Sequence, residues 1–150
     1  SGLGGMAVAN AYTHSSVCAR TGGLSVPNVS FTWADGSPGG CVNDLLAWAQ
    51  GHLLVLVFDE LSAASSHRLR QLSLHAPVRC VQVARPDTHN LALEHVRDLH
   101  GHLQGACHVF GHAWALIRPD AYLAATGESV DAGLIQAVEN ALGIKQGEAA

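Results

Sequence analysis

The pattern of apolar and polar positions is sharpest at "HLLVLVFDE", where residues 53–58 are apolar without a break. A run with no polar position leaves no side for water, which predicts an interior strand with helices on either side. Ahead of it, "SVPNVSFTWADGSPGG" contains one short β-prone run, 29–33, closed by the turn formers Asp35-Gly36 and Ser37-Pro38-Gly39-Gly40. "NDLLAWAQG" follows with the capping residues Asn43 and Asp44, apolar residues at 45, 46, 48 and 49, and a stop at Gly51, the pattern of a short helix.

Beyond the apolar run, "LSAASSHRLRQLSLHA" places Leu61, Ala64, Leu69, Leu72 and Ala76 near helical spacing and leaves Ser66, Arg68 and Arg70 for solvent. Pro77 ends this helix. "VRCVQVA" then alternates Val78, Cys80 and Gln82 with Arg79, Val81 and Val83, a second interior strand joined to the first by a right-handed β-α-β crossover. In 86–111, Leu91, Leu93, Val96 and Leu99 fit one helical face that Gly101, Gly105 and Gly111 interrupt, so one or two short helices are predicted. "AWALIRPDAYLAATG" reads as a hairpin, with strands at 113–117 and 121–125 around Pro119-Asp120. "SVDAGLIQAVENALG" closes the order as a helix with Ser129 as its cap and Gly143 as its stop. This succession predicts an α/β, thioredoxin-like mixed sheet with helices on both faces.

Composition narrows the picture. With 150 residues and 48% hydrophobic content the chain suits one domain, expected at 12–145, with 1–11 a flexible segment or linker and 146–150 a tail. The net charge of -4 and the scatter of eight Lys and Arg give no basic footprint for nucleic acid. An apolar run of six residues is too short for a membrane span, so a cytoplasmic location is expected and no membrane partner. Cys18, Cys41, Cys80 and Cys107 contain no C-x-x-C pair, and reduced thiols are expected. The first methionine is Met6, which suggests a fragment of a larger protein.

Four stretches taken together carry a resemblance: "YTHSS" (12–16), "VPNVSFTWADGS" (26–37), "NDLLAWAQGHLLVLVF" (43–58) and above all "ALIRPDAYLAATG" (115–127). In this order they resemble the C-terminal domain of bacterial FAD-dependent aromatic-ring hydroxylases, the group of 3-(3-hydroxyphenyl)propionate, phenol and polyketide hydroxylases. The resemblance spans roughly 12–143. It implies a thioredoxin-like fold and a parent enzyme that uses FAD and NAD(P)H to hydroxylate a phenolic ring. The flavin- and substrate-binding domains of that parent would do the chemistry and would be this domain's partners, with a homo-oligomer also allowed. One departure stands out: relatives commonly end the hairpin with a tryptophan-arginine pair, where this chain has Ala124, Ala125 and Thr126.

No residue is assigned a catalytic, cofactor-binding or metal-ligating role. A dithiol would belong at "DELSAASS" (59–66), directly after the central strand, and that stretch holds no sulfur. "GLGGMA" (2–7) is glycine-rich but lacks the preceding strand of a dinucleotide loop. His14 with Ser15 or Ser16 lacks a nucleophile elbow. Cys18 reads as a loop residue, Cys80 as core, and His52 and His75 as edge or capping groups. Trp48, Trp114 and Tyr122 suit either a core or an interface. "LHGHLQGACHVFGHAW" gathers His100, His102, Cys107, His108 and His112, yet no single conformation aims all five inward, so a histidine-rich connection is expected rather than a metal site. The alternatives to the hydroxylase domain are a free-standing thiol-redox protein using Cys41 or Cys107, and an independent binding module.

Overall fold

The computed structural model describes residues 23–111 and 113–143. His14, Ser15, Ser16, Cys18, His112, the "GLGGMA" and "YTHSS" stretches and the expected tail at 146–150 lie outside the described residues. Strand β1 (Ser30–Trp33) turns through Asp35-Gly36 into the two-residue β2 (Gly40–Cys41), which leads straight into α1 (Val42–Ala49). Then come β3 (Leu53–Val57), α2 (Ala63–His75), β4 (Val78–Ala84), β5 (His95–Arg97), α3 (His102–Ala106), β6 (Trp114–Ile117), β7 (Leu123–Gly127) and α4 (Ala132–Ala141). They form one mixed sheet in the order β2-β1-β5-β4-β3-β6-β7. β3 runs parallel to β4, as the predicted crossover requires, and antiparallel to β6, which forms the predicted antiparallel hairpin with β7.

All five side chains of β3 are buried. Leu53, Val55 and Val57 enter one core with Leu69 of α2 and Leu134 and Val138 of α4. Leu54, Leu56 and the following Phe58 enter the other with Val42 and Leu45 of α1 and Leu103 of α3. Burying a Leu or Val side chain contributes about 2 kcal/mol, so the strand draws comparable stabilisation from both faces.

The stretch 86–111 contains a short helix, as expected, the five-residue α3, but also a strand, β5, that the helical spacing did not predict. Leu93 and Val96 are three apart, as on a helix, but they pack into opposite cores, Leu93 against the α2 side and Val96 against the α1 side. Buried Asp98 supplies what the glycines deny to α3: its carboxylate oxygens accept the N–H groups of Leu103 (3.2 Å) and Gln104 (3.1 Å). Other boundaries shift by a residue or two. Cys41 caps α1 ahead of Asn43, and Asp131 caps α4, taking a hydrogen bond from the Ser129 hydroxyl (2.6 Å) and one from the Gly133 N–H (2.8 Å). Ala121, placed in the second hairpin strand by the sequence, instead has φ 69° and completes the turn, so that strand begins at Leu123. Ser66, assigned to solvent, is buried and donates to the Ala63 carbonyl (3.1 Å).

One polar side chain holds the C-terminal end of the sheet together. Gln82 is fully buried on β4; its Nε2 donates to the Asp59 carbonyl (3.0 Å) and the Asn90 carbonyl (2.9 Å), and its Oε1 accepts the Ala92 N–H (2.9 Å). The substitution Gln82→Leu removes three part-buried hydrogen bonds, each worth about 1 kcal/mol, and is expected to destabilise the fold by about 3 kcal/mol. Urea denaturation measures this, and a loss below about 1 kcal/mol would mean that water replaces the amide without difficulty.

Candidate functional site

Open α/β sheets place their chemistry beyond the C-terminal ends of the parallel strands. In this chain that region is 59–66, between β3 and the first turn of α2. Ser62 caps α2, its Oγ accepting the Ser65 N–H (3.0 Å) while its hydroxyl donates to Ser65 Oγ (3.1 Å). A pair of hydroxyls thus stands three residues apart where a dithiol would stand, and alcohols form neither a thiolate nor a disulfide at neutral pH. Glu60 is occupied with the neighbouring loop: Oε2 accepts the His89 N–H (2.8 Å) and Oε1 the Asn90 Nδ2 (3.2 Å). With the Gln82 bonds, these contacts fasten the loop after β3 to the loop after β4. The Glu60 and Gln82 pairings span 29 and 23 residues of sequence, so no local motif announces them.

The thiols are dispersed. Cys41 is partly exposed at the N-terminus of α1, but its Sγ donates to Asp44 Oδ2 (3.3 Å), which also accepts the Cys41 N–H (3.0 Å). Reactive thiolates have cationic neighbours, and Cys41 has a carboxylate. Cys80 is buried in the core beneath α2, and burial pushes its thiol up to about 11 against a weak contact with Ser73 (3.6 Å). Cys107 is buried in the opposite core, where burial and the nearby Asp98 charge push it up to about 12.

Nor does the histidine stretch converge. His100, His102 and His108 are exposed while Cys107 points into the core. His100 and His102 stack obliquely at 5.7 Å, and His108 lies past the end of α3 with φ 55°, which removes the helical spacing that would have paired it with position 112. Among the described residues no group of three His, Cys, Asp or Glu could hold a metal ion. His52 caps instead, its Nδ1 lying 2.8 Å from the Ala49 carbonyl. Trp114 and Tyr122 are buried, whereas Trp48 is 37% exposed.

The residues that carried the sequence resemblance do structural work. Asn28 Oδ1 accepts the Asn43 N–H (2.8 Å) and pins the start of α1. Asp35 Oδ1 accepts the Ser37 hydroxyl (2.7 Å) and N–H (2.9 Å), which hold its carboxyl below the usual range. Arg118 pairs with Asp120 (2.6 Å) across the hairpin turn, and Asp120 also accepts the Tyr122 N–H (3.2 Å). Ala124 is buried, and Trp114 covers Gly127 so closely that a Cβ there would lie 2.3 Å from the indole. The small residues of β7 therefore accommodate Trp114, whose Nε1 donates to the Ser129 carbonyl (2.7 Å).

No family model matches the chain, and no curated protein matches it in sequence. Solved structures match it in fold. The thioredoxin domain of a thiol-disulfide oxidoreductase from Bacteroides vulgatus is 14% identical with a TM-score of 0.57, over 79% of this chain and 96% of that one. Aklavinone-11 hydroxylase, solved as a ternary complex with FAD and aklavinone, is 22% identical with a TM-score of 0.54, over 80% of this chain but only 21% of that one. The bacterioferritin comigratory protein of Xanthomonas campestris, described for alkyl peroxide reduction, is 18% identical with a TM-score of 0.51, over 80% and 95%. At these identities the likeness shows the fold, and the fold is thioredoxin-like. Among the described residues no helix is long and apolar enough to cross a membrane.

The buried thiols give a pH signature. An unfolded thiol loses its proton near pH 9 and the folded ones hold theirs to about 11 and 12, so stability is intact below pH 9 and falls as pH rises toward those values. Each thiol contributes a slope of about -1.4 kcal/mol per pH unit over its window. Denaturation between pH 8.5 and 11 should show a flatter decline for Cys107→Ala than for the unaltered protein; equal slopes would contradict the burial of that thiol.

Proposed function

We propose that this chain is the C-terminal domain of an FAD- and NAD(P)H-dependent aromatic-ring hydroxylase, and that it acts in domain packing or subunit association without catalysis of its own. The observation that carries this reading is the end of β3. There Ser62 and Ser65 replace a dithiol, and Glu60 and Gln82 are committed to joining loops. The ordered sequence resemblance and the fold shared with one part of aklavinone-11 hydroxylase support the parentage.

The dinucleotide-binding unit that holds FAD uses a strand that opens through a glycine-rich turn into a helix whose first N–H groups are free to meet the pyrophosphate. The described β3-α2-β4 unit does not fit it: residues 59–66 contain no glycine, and the Ser62 side chain already takes the Ser65 N–H. The parent's flavin- and substrate-binding domains would hold FAD, NAD(P)H and the ring substrate, and they are the partners proposed for this domain. The rival reading, a thiol-redox protein, rests on Cys41 alone, the partly exposed cysteine among the described residues.

The purified chain separates the two. It should carry no flavin absorbance, oxidise no NADPH with phenolic substrates, and catalyse no dithiol-disulfide exchange with insulin. Bound flavin or NADPH oxidation would overturn the non-catalytic assignment. Exchange activity that Cys41→Ser abolishes would replace it with the redox reading.

A further inference from the structure

β5 reaches β4 only along Gln82, Val83 and Ala84, and β1, paired to the other edge of β5, leaves the sheet at Trp33. Residues 78–81 of β4 therefore border a cleft where a longer strand would have lain. Beneath α1 this cleft widens into a cavity of about 530 Å³, a volume suited to a small ligand. Its buried base is apolar, formed by Leu45, Val81 and Val96, and two of the protein's three tryptophans, Trp33 and Trp48, also line it.

Its polar groups point to one sign of charge. Asp35 and Glu94 are the charged residues of the lining, and neither lysine nor arginine is among them. Ser37 fixes the Asp35 carboxylate in place. His95 also lines the cavity, and its Nε2 is buried with no hydrogen-bond partner among the described residues. Indole faces attract cations, and Trp48 already carries one: the Arg79 guanidinium lies 4.8 Å from its ring centre, held outside the cavity lining by the Trp48 carbonyl (3.0 Å) and Gln50 Oε1 (3.4 Å). Two carboxylates and two indoles match a cation that carries an apolar body. An anion would face two like charges, and a metal ion would gain nothing from the indoles.

We propose that this cavity binds a primary or secondary organic ammonium ion carrying an aromatic or branched aliphatic body. The ammonium sits by Asp35 and Glu94, and the apolar body lies between Trp33 and Trp48 over the Leu45, Val81 and Val96 base. This site is independent of the hydroxylase reading, since it lies under α1 and away from 59–66.

Trp114 makes a test self-controlled, because it packs in the opposite core with its N–H on Ser129. Titration of the 15N-labelled full chain with 2-phenylethylammonium, followed through the three indole N–H signals, should shift Trp33 and Trp48 saturably and leave Trp114 in place. Glu94 is exposed, so Glu94→Gln should keep the fold, as the unmoved Trp114 signal reports, and bind about tenfold more weakly. Neutral 2-phenylethanol should also bind about tenfold more weakly. Three outcomes overturn the proposal: no saturable shift at Trp33 and Trp48, equal binding of the neutral alcohol, or equal movement of all three indoles.

Discussion

β3 has five residues and five buried side chains, so neither of its faces can meet water. The rest of the architecture answers that constraint. Alternate side chains of one extended strand point to opposite sides, and each set needs its own cover. α2 and α4 supply it on one side, α1 and α3 on the other. The parallel partner β4 and the antiparallel partner β6 satisfy the backbone along both edges of β3. The strand is thus enclosed in four directions, and its C-terminal end, where α2 begins, is its route to the surface.

That end is where a fold of this kind offers a reactive position, and here it is closed by fastening. Gln82 and Glu60 tie the loop after β3 to the loop after β4, and Ser62 spends its oxygen on the first turn of α2. The same economy holds at Asn28, Asp35 and Arg118, the residues that made the sequence look familiar, each of which holds a turn or a helix start. A scaffold whose recognisable residues are structural is one that can be kept for its shape, as a packing domain would be.

Much of this was legible in the chain. The unbroken apolar run 53–58, the alternation of 78–83 and the Arg118-Pro119-Asp120 turn are local patterns with one reasonable structure each, and the absence of sulfur from 59–66 is read directly from the letters. β2 and β5 were not legible, because two- and three-residue strands carry too little periodicity. Leu93 and Val96 mimicked helix spacing for the same reason. The Glu60 and Gln82 clasps join residues that only the folded sheet brings together. The cavity under α1 follows from how short β5 is, which made it invisible until β5 itself was seen. The histidine stretch misled in a different way: its spacing suggests ligands, but the backbone turns Cys107 inward and leaves His100, His102 and His108 outside.

The coding sequence upstream of residue 1 decides whether this fold serves a flavin-dependent hydroxylase as one of its domains, as proposed. The expected result is an open reading frame that continues upstream into further domains, with a strand leading through G-x-G-x-x-G into a helix to hold the dinucleotide. A stop codon in frame just before this chain, or an upstream region with no such flavin-binding unit, would contradict it.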